Sequence, residues 1–277
     1  MLHDPISIPR LRLTVAYDGR PFGGWQSQPN ADTVQDRIEA AIAIIAKRPV
    51  RIHGAGRTDA GVHALGQVAH FDPPQELAMT PENWRAAINT KLPRTIRIME
   101  ACAVSRDFHA RFSATGKHYR YRICTLPVLP PLDAGLAWHL PRGLDRKNLE
   151  SALARFRGRH DFRAFAATRG NETPDTDFHR TIHELRVEWS GDGPVIHFRG
   201  DGFLYKMIRM LVGTAVAAAT GQITPGEIDR LLDPERRRVG DPRHGLASPP
   251  ASPAPRERTR HCAPPDGLTL MEVAYGK

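Results

Sequence analysis

Cysteine is scarce: Cys102, Cys124 and Cys262 are the only three in 277 residues, and they stand far apart. An odd, sparse set makes no disulfide framework, and without a CxxC pair the chain shows no zinc or iron–sulfur ligand spacing. Thirteen histidines are present, yet none falls in HExxH spacing or in a close His/Cys cluster. GxxxxGK[ST] and GxGxxG are also missing, so an NTP or dinucleotide site has little support. The longest apolar stretch, Met207 to Ala219, is interrupted by Arg209 and is shorter than the ~20 residues a bilayer helix needs. Residues 1–10 lack the apolar run of a signal peptide. A soluble, reduced, cytoplasmic protein with no membrane contact is the expectation.

Basic residues are plentiful. Lys plus Arg is 39 against 30 for Asp plus Glu, giving a formal charge of +9 and a pI near 9.9. Such an excess makes a polyanionic partner worth weighing, although the dominance of Arg over Lys is also what a compositional bias would leave. Hydrophobic residues make up 40% and charged residues 25%, a globular balance. At ~150 residues per domain the length suits one large domain or two small ones.

Leu11, Leu13, Val15 and Tyr17 alternate with polar or small residues, the period of a strand with one buried face. Asp18-Gly19 breaks it and a glycine-rich loop follows through Trp25. Thr33 with Asp36 resembles a capping box, and Val34, Ile38, Ala41, Ile42 and Ile45 form a helical stripe that Pro49 should end. Val68 to Phe71 reads as a strand, and Thr80-Pro81-Glu82 as a helix start with Trp84, Ala87 and Ile88 on its apolar face. From about Phe108 a second block begins. His118 to Cys124 alternates Tyr119, Tyr121 and Ile123 with His118, Arg120 and Arg122; Leu149 to Phe156 is an amphipathic helix. Thr181 to Trp189 and Val195 to Arg199 form a hairpin, Phe203 to Thr220 an apolar helix capped by Gly221, and Leu268 to Tyr275 a closing strand. The reading is α+β, in two similar halves at residues 1–107 and 108–277. Each is a mostly antiparallel sheet with flanking helices, and a cleft lies between them. A Pro/Arg-rich insertion occupies about 236–262; Asp241 to Pro265 alone holds seven prolines, a composition that cannot bury a core.

The densest chemistry lies in Gly54-Ala55-Gly56-Arg57-Thr58-Asp59-Ala60-Gly61-Val62-His63-Ala64. Three glycines in eight positions mean a sharp bend or a close approach to the backbone. A cation, a hydroxyl, a carboxylate and an imidazole sit within it. Spacing alone leaves a tight turn with Asp59 paired to Arg57 as open as a site. The segment from Gly56 to Ala64 resembles the catalytic motif of the tRNA pseudouridine synthase A (TruA) family. Tyr17-Asp18-Gly19, Phe22 and Gly24-Trp25-Gln26 resemble the family's opening strand and loop, and Ala110 to Thr115 through Tyr119-Arg120-Tyr121 its central strand. Asp161-Phe162, Phe203 to Arg209 with Val212-Gly213, and the tail Ala263 to Leu268 resemble its C-terminal domain. The matches run from Tyr17 to Tyr275; the departure is at Arg236 to Cys262, which is longer and richer in proline than the family's linker.

The resemblance implies isomerisation of uridine to pseudouridine in the anticodon stem-loop of tRNA, at tRNA positions 38, 39 and 40. It also implies a homodimer, with no cofactor, nucleotide or metal, because the reaction conserves atoms and involves no redox change. Asp59 is implied as the catalytic carboxylate, nucleophile or base, by an addition, an acylal or a glycal route. Tyr119 is implied as the ring that receives the turned-out base; periodicity alone would make it a core residue. A buried carboxylate needs a cation close by to stay charged. Arg57, in the same turn, and Arg209, within an apolar helix, are the candidates, the latter reaching across the cleft to Asp59, snorkelling to the surface or binding phosphate. His63 serves as a general base or as a loop-ordering hydrogen-bond partner. Arg111, Lys117, Arg120, Arg122 and Arg163, with Arg20 and His109, are candidates for gripping RNA phosphates. The competing readings are a non-catalytic RNA-binding module, and a hydrolase releasing free uracil, which would need a second carboxylate at the site.

Overall fold

The computed structural model describes residues 9–233 and 258–276, apart from 142, 169, 171 and 174. They fall into two compact units: residues up to Tyr119 together with Leu268 onward, and Arg120–Gly267. Most of the Pro/Arg-rich segment expected at 236–262 lies outside the described residues.

In the first unit β1 (Arg10–Tyr17) runs antiparallel between β3 (His63–Phe71) and β4 (Ile96–Val104). Its alternation is realised: Leu11, Leu13, Val15 and Tyr17 are all buried, and the residues between them are not. A two-residue strand, β2 (His53–Gly54), pairs with the far end of β3. Helix α1 (Val34–Ala46) starts at Thr33, whose hydroxyl accepts from the Asp36 amide. It stops before Pro49 because Lys47 turns left-handed, at φ 54°. Helix α2 (Pro81–Lys91) starts at Thr80 and is tied to β4 by Asn89, which exchanges two hydrogen bonds of 2.8 and 2.9 Å with the Ile98 backbone. Trp84 of α2 packs edge-on against Phe71 at 5.4 Å. Strand β10 (Leu268–Tyr275) completes this sheet in parallel, Thr269 opposite His63 and Leu270 opposite Ala64.

The division between units falls inside β5 (Ala114–Cys124), twelve residues later than the sequence boundary at 107. Residues 108–119 stay with the first unit for local reasons. Phe108 packs on Tyr275, the Ala110 amide donates to His70 Nδ1 at 3.1 Å, and the Tyr275 hydroxyl donates to the Ala110 carbonyl at 2.7 Å.

In the second unit β6 (Trp138–His139) pairs with the end of β5. Strands β7 (Gly158–Asp161), β8 (His179–Ser190) and β9 (Gly193–Gly200) form an antiparallel set, the hairpin turning where Gly193 takes φ 128°. Helices α3 (Arg146–Ala154), α4 (Met207–Ala219) and α5 (Pro225–Leu232) accompany them. Phe156, Phe162, Phe165, Phe198 and Leu211 are fully buried and form its core. Helix α4 begins later than the apolar run suggests because Lys206 is left-handed at φ 59°. No helix among the described residues is long and apolar enough to cross a membrane.

Candidate active site

The glycine-rich bend joins β2 to β3, and a second loop, between β1 and α1, pins it. The Trp25 amide donates to the Thr58 carbonyl at 3.2 Å, and the Val62 amide closes the turn onto the Asp59 carbonyl at 3.1 Å. Gly24 stands at φ 103°, and a Cβ there would lie 2.6 Å from the Thr58 carbonyl oxygen, so only glycine lets the two backbones meet. Gly54 is pressed against the buried Trp25 indole, with Nε1 2.4 Å from where a Cβ would stand. The second loop is itself anchored, because the first amides of α1, from Val34 and Gln35, donate to the Gly24 and Trp25 carbonyls at 3.2 and 3.0 Å. These are among the donors that a helix N-terminus leaves without intrahelical partners.

Side chains hold the bend from beneath. Thr58 is buried, and its hydroxyl meets the Tyr17 hydroxyl at 2.8 Å. Burial pushes the Tyr17 phenol well above its usual range, against the pull of its bonds to Thr58 and Gln67. Gln67, also buried, donates to the Gly56 carbonyl at 3.0 Å. His63 Nδ1 lies 3.2 Å from the Gly19 amide, which donates to it, so the ring orders the opening loop. Asp18 lies 3.4 Å from the same nitrogen. Its carboxyl is held below the usual range chiefly by hydrogen bonds from Arg20.

On this support Asp59 is half-buried. Tyr119 of β5 is only 8% exposed. Its phenol is pushed up first by burial, then by Tyr17 and by the negative charge of Asp59. The ring and the acid thus share one electrostatic neighbourhood within the first unit. Lys117, two residues earlier on the same face of β5, brings its ammonium to Gly56, where an added Cβ would be 2.7 Å from Nζ.

Arg57 shares the bend but is exposed. Arg209 belongs to the second unit, where every other residue of α4 is buried. Its Nε donates to the Ala263 carbonyl at 2.8 Å, and the Ala263 amide returns a bond to the Arg209 carbonyl at 2.9 Å. Several of the basic candidates are engaged: Arg122 with Asp133 at 3.0 Å, Arg20 with Asp18, and Arg163 over the Phe178 ring at 4.8 Å. Tyr17, Thr58 and Gln67 escaped sequence reasoning as site residues. Their polar atoms meet only after β1 and β3 pair, and the alternation of β1 marks Tyr17 as core and nothing more.

A family model described as tRNA pseudouridine synthase matches residues 13–113 and again 152–252, one stretch in each half of the chain. The chain is 51% identical over 269 residues to a tRNA pseudouridine synthase A of Akkermansia muciniphila, covering 96% of this chain and 95% of that one. It is 41% identical to a protein of the same name from Solidesulfovibrio magneticus, over 96% and 91% of the two chains. A third, from Bacillus licheniformis, is 40% identical over 86% of this chain and 96% of its own.

Proposed function

The chain belongs to the tRNA pseudouridine synthase family, and from that premise we propose that it converts uridine to pseudouridine in the anticodon stem-loop of tRNA through Asp59. The observation that carries this reading is the half-buried Asp59, set in a bend braced by Gly24, Trp25, Tyr17 and Gln67, with its charge felt by the Tyr119 phenol. The reaction breaks the bond from ribose C1′ to uracil N1, turns the base and joins C1′ to C5. The proton on C5 leaves and N1 gains one, so atoms and electrons balance without a co-reactant. Attack at the sugar, addition to the base and proton removal from the sugar all begin at a carboxylate oxygen. A rigid bend holds that oxygen in place, which is what positioning requires.

The target nucleotide has to leave its stack to reach Asp59. The resemblance makes Tyr119 its stacking partner, a contact that contributes ~1–3 kcal/mol; at 8% exposed, the ring has to be uncovered as the base enters. Exposed Arg57 supplies a cation on the substrate side of the bend. Arg209, the single half-buried residue of an otherwise buried helix, serves as a substrate contact in this reading. Assembly as a homodimer and a cytoplasmic setting accompany this reading.

Purified protein incubated with tRNA, with no added metal or nucleotide, is expected to produce pseudouridine at tRNA positions 38, 39 or 40. Asp59→Asn should lower turnover at least ~10³-fold while tRNA binding stays within about threefold, the pattern of a group that acts in the transition state. An active Asp59→Asn enzyme would remove Asp59 from the reaction. Release of free uracil would replace isomerisation by hydrolysis.

A further inference from the structure

Away from the bend, the first unit holds an aromatic ring out in solvent. Phe112 is 77% exposed. It does not hang from a loose loop. The amides of Arg111 and Phe112 both donate to His109 Nδ1, at 3.1 and 3.3 Å. The Ser113 amide closes the turn onto the His109 carbonyl at 2.9 Å, and the His109 amide donates to the Ser113 hydroxyl at 3.0 Å. Between them, Ala110 is bonded to His70 through its amide and to Tyr275 through its carbonyl. The His109 ring lies against Phe112 with centroids 4.3 Å apart and planes at 32°. Behind it His70 and His53 continue the pile, at 4.7 and 5.7 Å from His109. Both His70 and His109 accept backbone amide hydrogens at Nδ1, so neither ring carries a proton there. Arg111 sets its guanidinium 5.6 Å from the Phe112 centroid. Among the described residues these imidazoles form no metal-holding group.

A fixed ring, backed by an imidazole yet largely exposed and with a guanidinium over it, is a combination with which proteins stack unpaired bases and draw in the adjoining phosphate. We propose that Phe112 is a platform for one unpaired base of the tRNA, distinct from the uridine that is isomerised, with Arg111 facing the neighbouring phosphate. The platform and the catalytic bend are joined by a short stretch of chain. His53 precedes Asp59 by six residues, a length that spans about 20 Å at most. One RNA arm can therefore touch both. The inference rests on the tRNA reading above and adds a second contact to it.

The test compares Phe112→Ala, Phe112→Leu and Phe112→Tyr with the wild-type chain, using full-length tRNA and a fully paired RNA duplex. Thermal melting confirms that each is folded. Phe112→Ala and Phe112→Leu are expected to raise KM and the tRNA dissociation constant about tenfold, which is about 1.4 kcal/mol, with kcat within twofold. Phe112→Tyr keeps wild-type binding, and the duplex binds all four alike. Unchanged tRNA binding in Phe112→Ala, or recovery by Leu as complete as by Tyr, overturns the proposal, since Leu restores apolar cover without a flat face. A fall in sedimenting mass for Phe112→Ala at assay concentration also overturns it, by assigning the ring to contact between copies. If Phe112→Ala fails to fold, the Leu and Tyr arms decide alone. A wild-type chain that neither binds nor modifies tRNA would instead sink the earlier reading and leave this one without a ligand.

Discussion

At the scale of single residues, the glycine-rich bend that carries Asp59 owes its shape to glycine where backbones touch. Gly24→Ala must bear both a left-handed φ of 103° and a Cβ at 2.6 Å from the Thr58 carbonyl. We expect a loss of about 2–3 kcal/mol in urea denaturation, with kcat falling further than stability alone explains because Thr58 adjoins Asp59. Tyr17→Phe strands the buried Thr58 hydroxyl and should cost about 1–2 kcal/mol, with reduced turnover measured on tRNA. Tyr119→Phe separates the ring from its hydroxyl: if stacking is the ring's role, tRNA binding stays within about twofold. Asp59 and Tyr119 enter as candidates only through resemblance, since composition and spacing leave a turn and a core residue as equally good accounts. The hydroxyl pair beneath them was illegible, because it joins Tyr17 at the end of β1 to Thr58 in the bend, residues far apart in sequence.

At the scale of elements, sequence punctuation did well where a side chain caps its own backbone. Thr33 and Thr80 start helices as their spacing indicates, each accepting from the amide three residues on. It failed where a backbone torsion decides. The apolar run from Phe203 reads as one helix, yet the left-handed Lys206 holds the start of α4 back to Met207. Strand β4 went unread because its burial alternates only at Ile96 and Ile98 before the pattern lapses. Helix α4 carries a prediction of its own. Gly213 faces the chain at 261–263, and a Cβ there would lie 2.8–2.9 Å from that backbone. Gly213→Ala has to push the two apart, loosening both bonds between Arg209 and Ala263. Overpacking of this kind costs about 1–3 kcal/mol, to be read from a urea midpoint shift.

At the scale of the whole molecule, the two-half α+β plan was legible from the order of strands and helices, and the two matches to one family model agree with it. The two compact units divide at Tyr119, and residues 108–119 are tied to the first of them by His70 and Tyr275. Two bulk measurements follow. If at least six phosphates are neutralised, a plot of log affinity against log salt should have a slope of about −4 to −5; a flat line would contradict tRNA binding. Stability should also fall in mild acid. His70 is held down to about pKa 4, mainly by burial and then by Arg10, His109 and His53. Its folded value lies below the unfolded one, so the unfolded chain binds the extra proton between them. The stabilisation is complete above pH ~6.5 and is lost as pH falls towards about 4. Urea titrations across that window should show the decline, and His70→Asn, which keeps an acceptor for the Ala110 amide, should flatten part of it.

The pairing of Thr269 and Leu270 with His63 and Ala64 also bears on the order in which a ribosome makes the chain. The strand that shores up the end of the acid-bearing bend is translated about two hundred residues after it. Nascent protein must therefore wait, with the bend and its flanking strands already made, before that bend gains this neighbour. Translation halted after Gly267 should yield a product inert towards tRNA, although every catalytic candidate has by then been made.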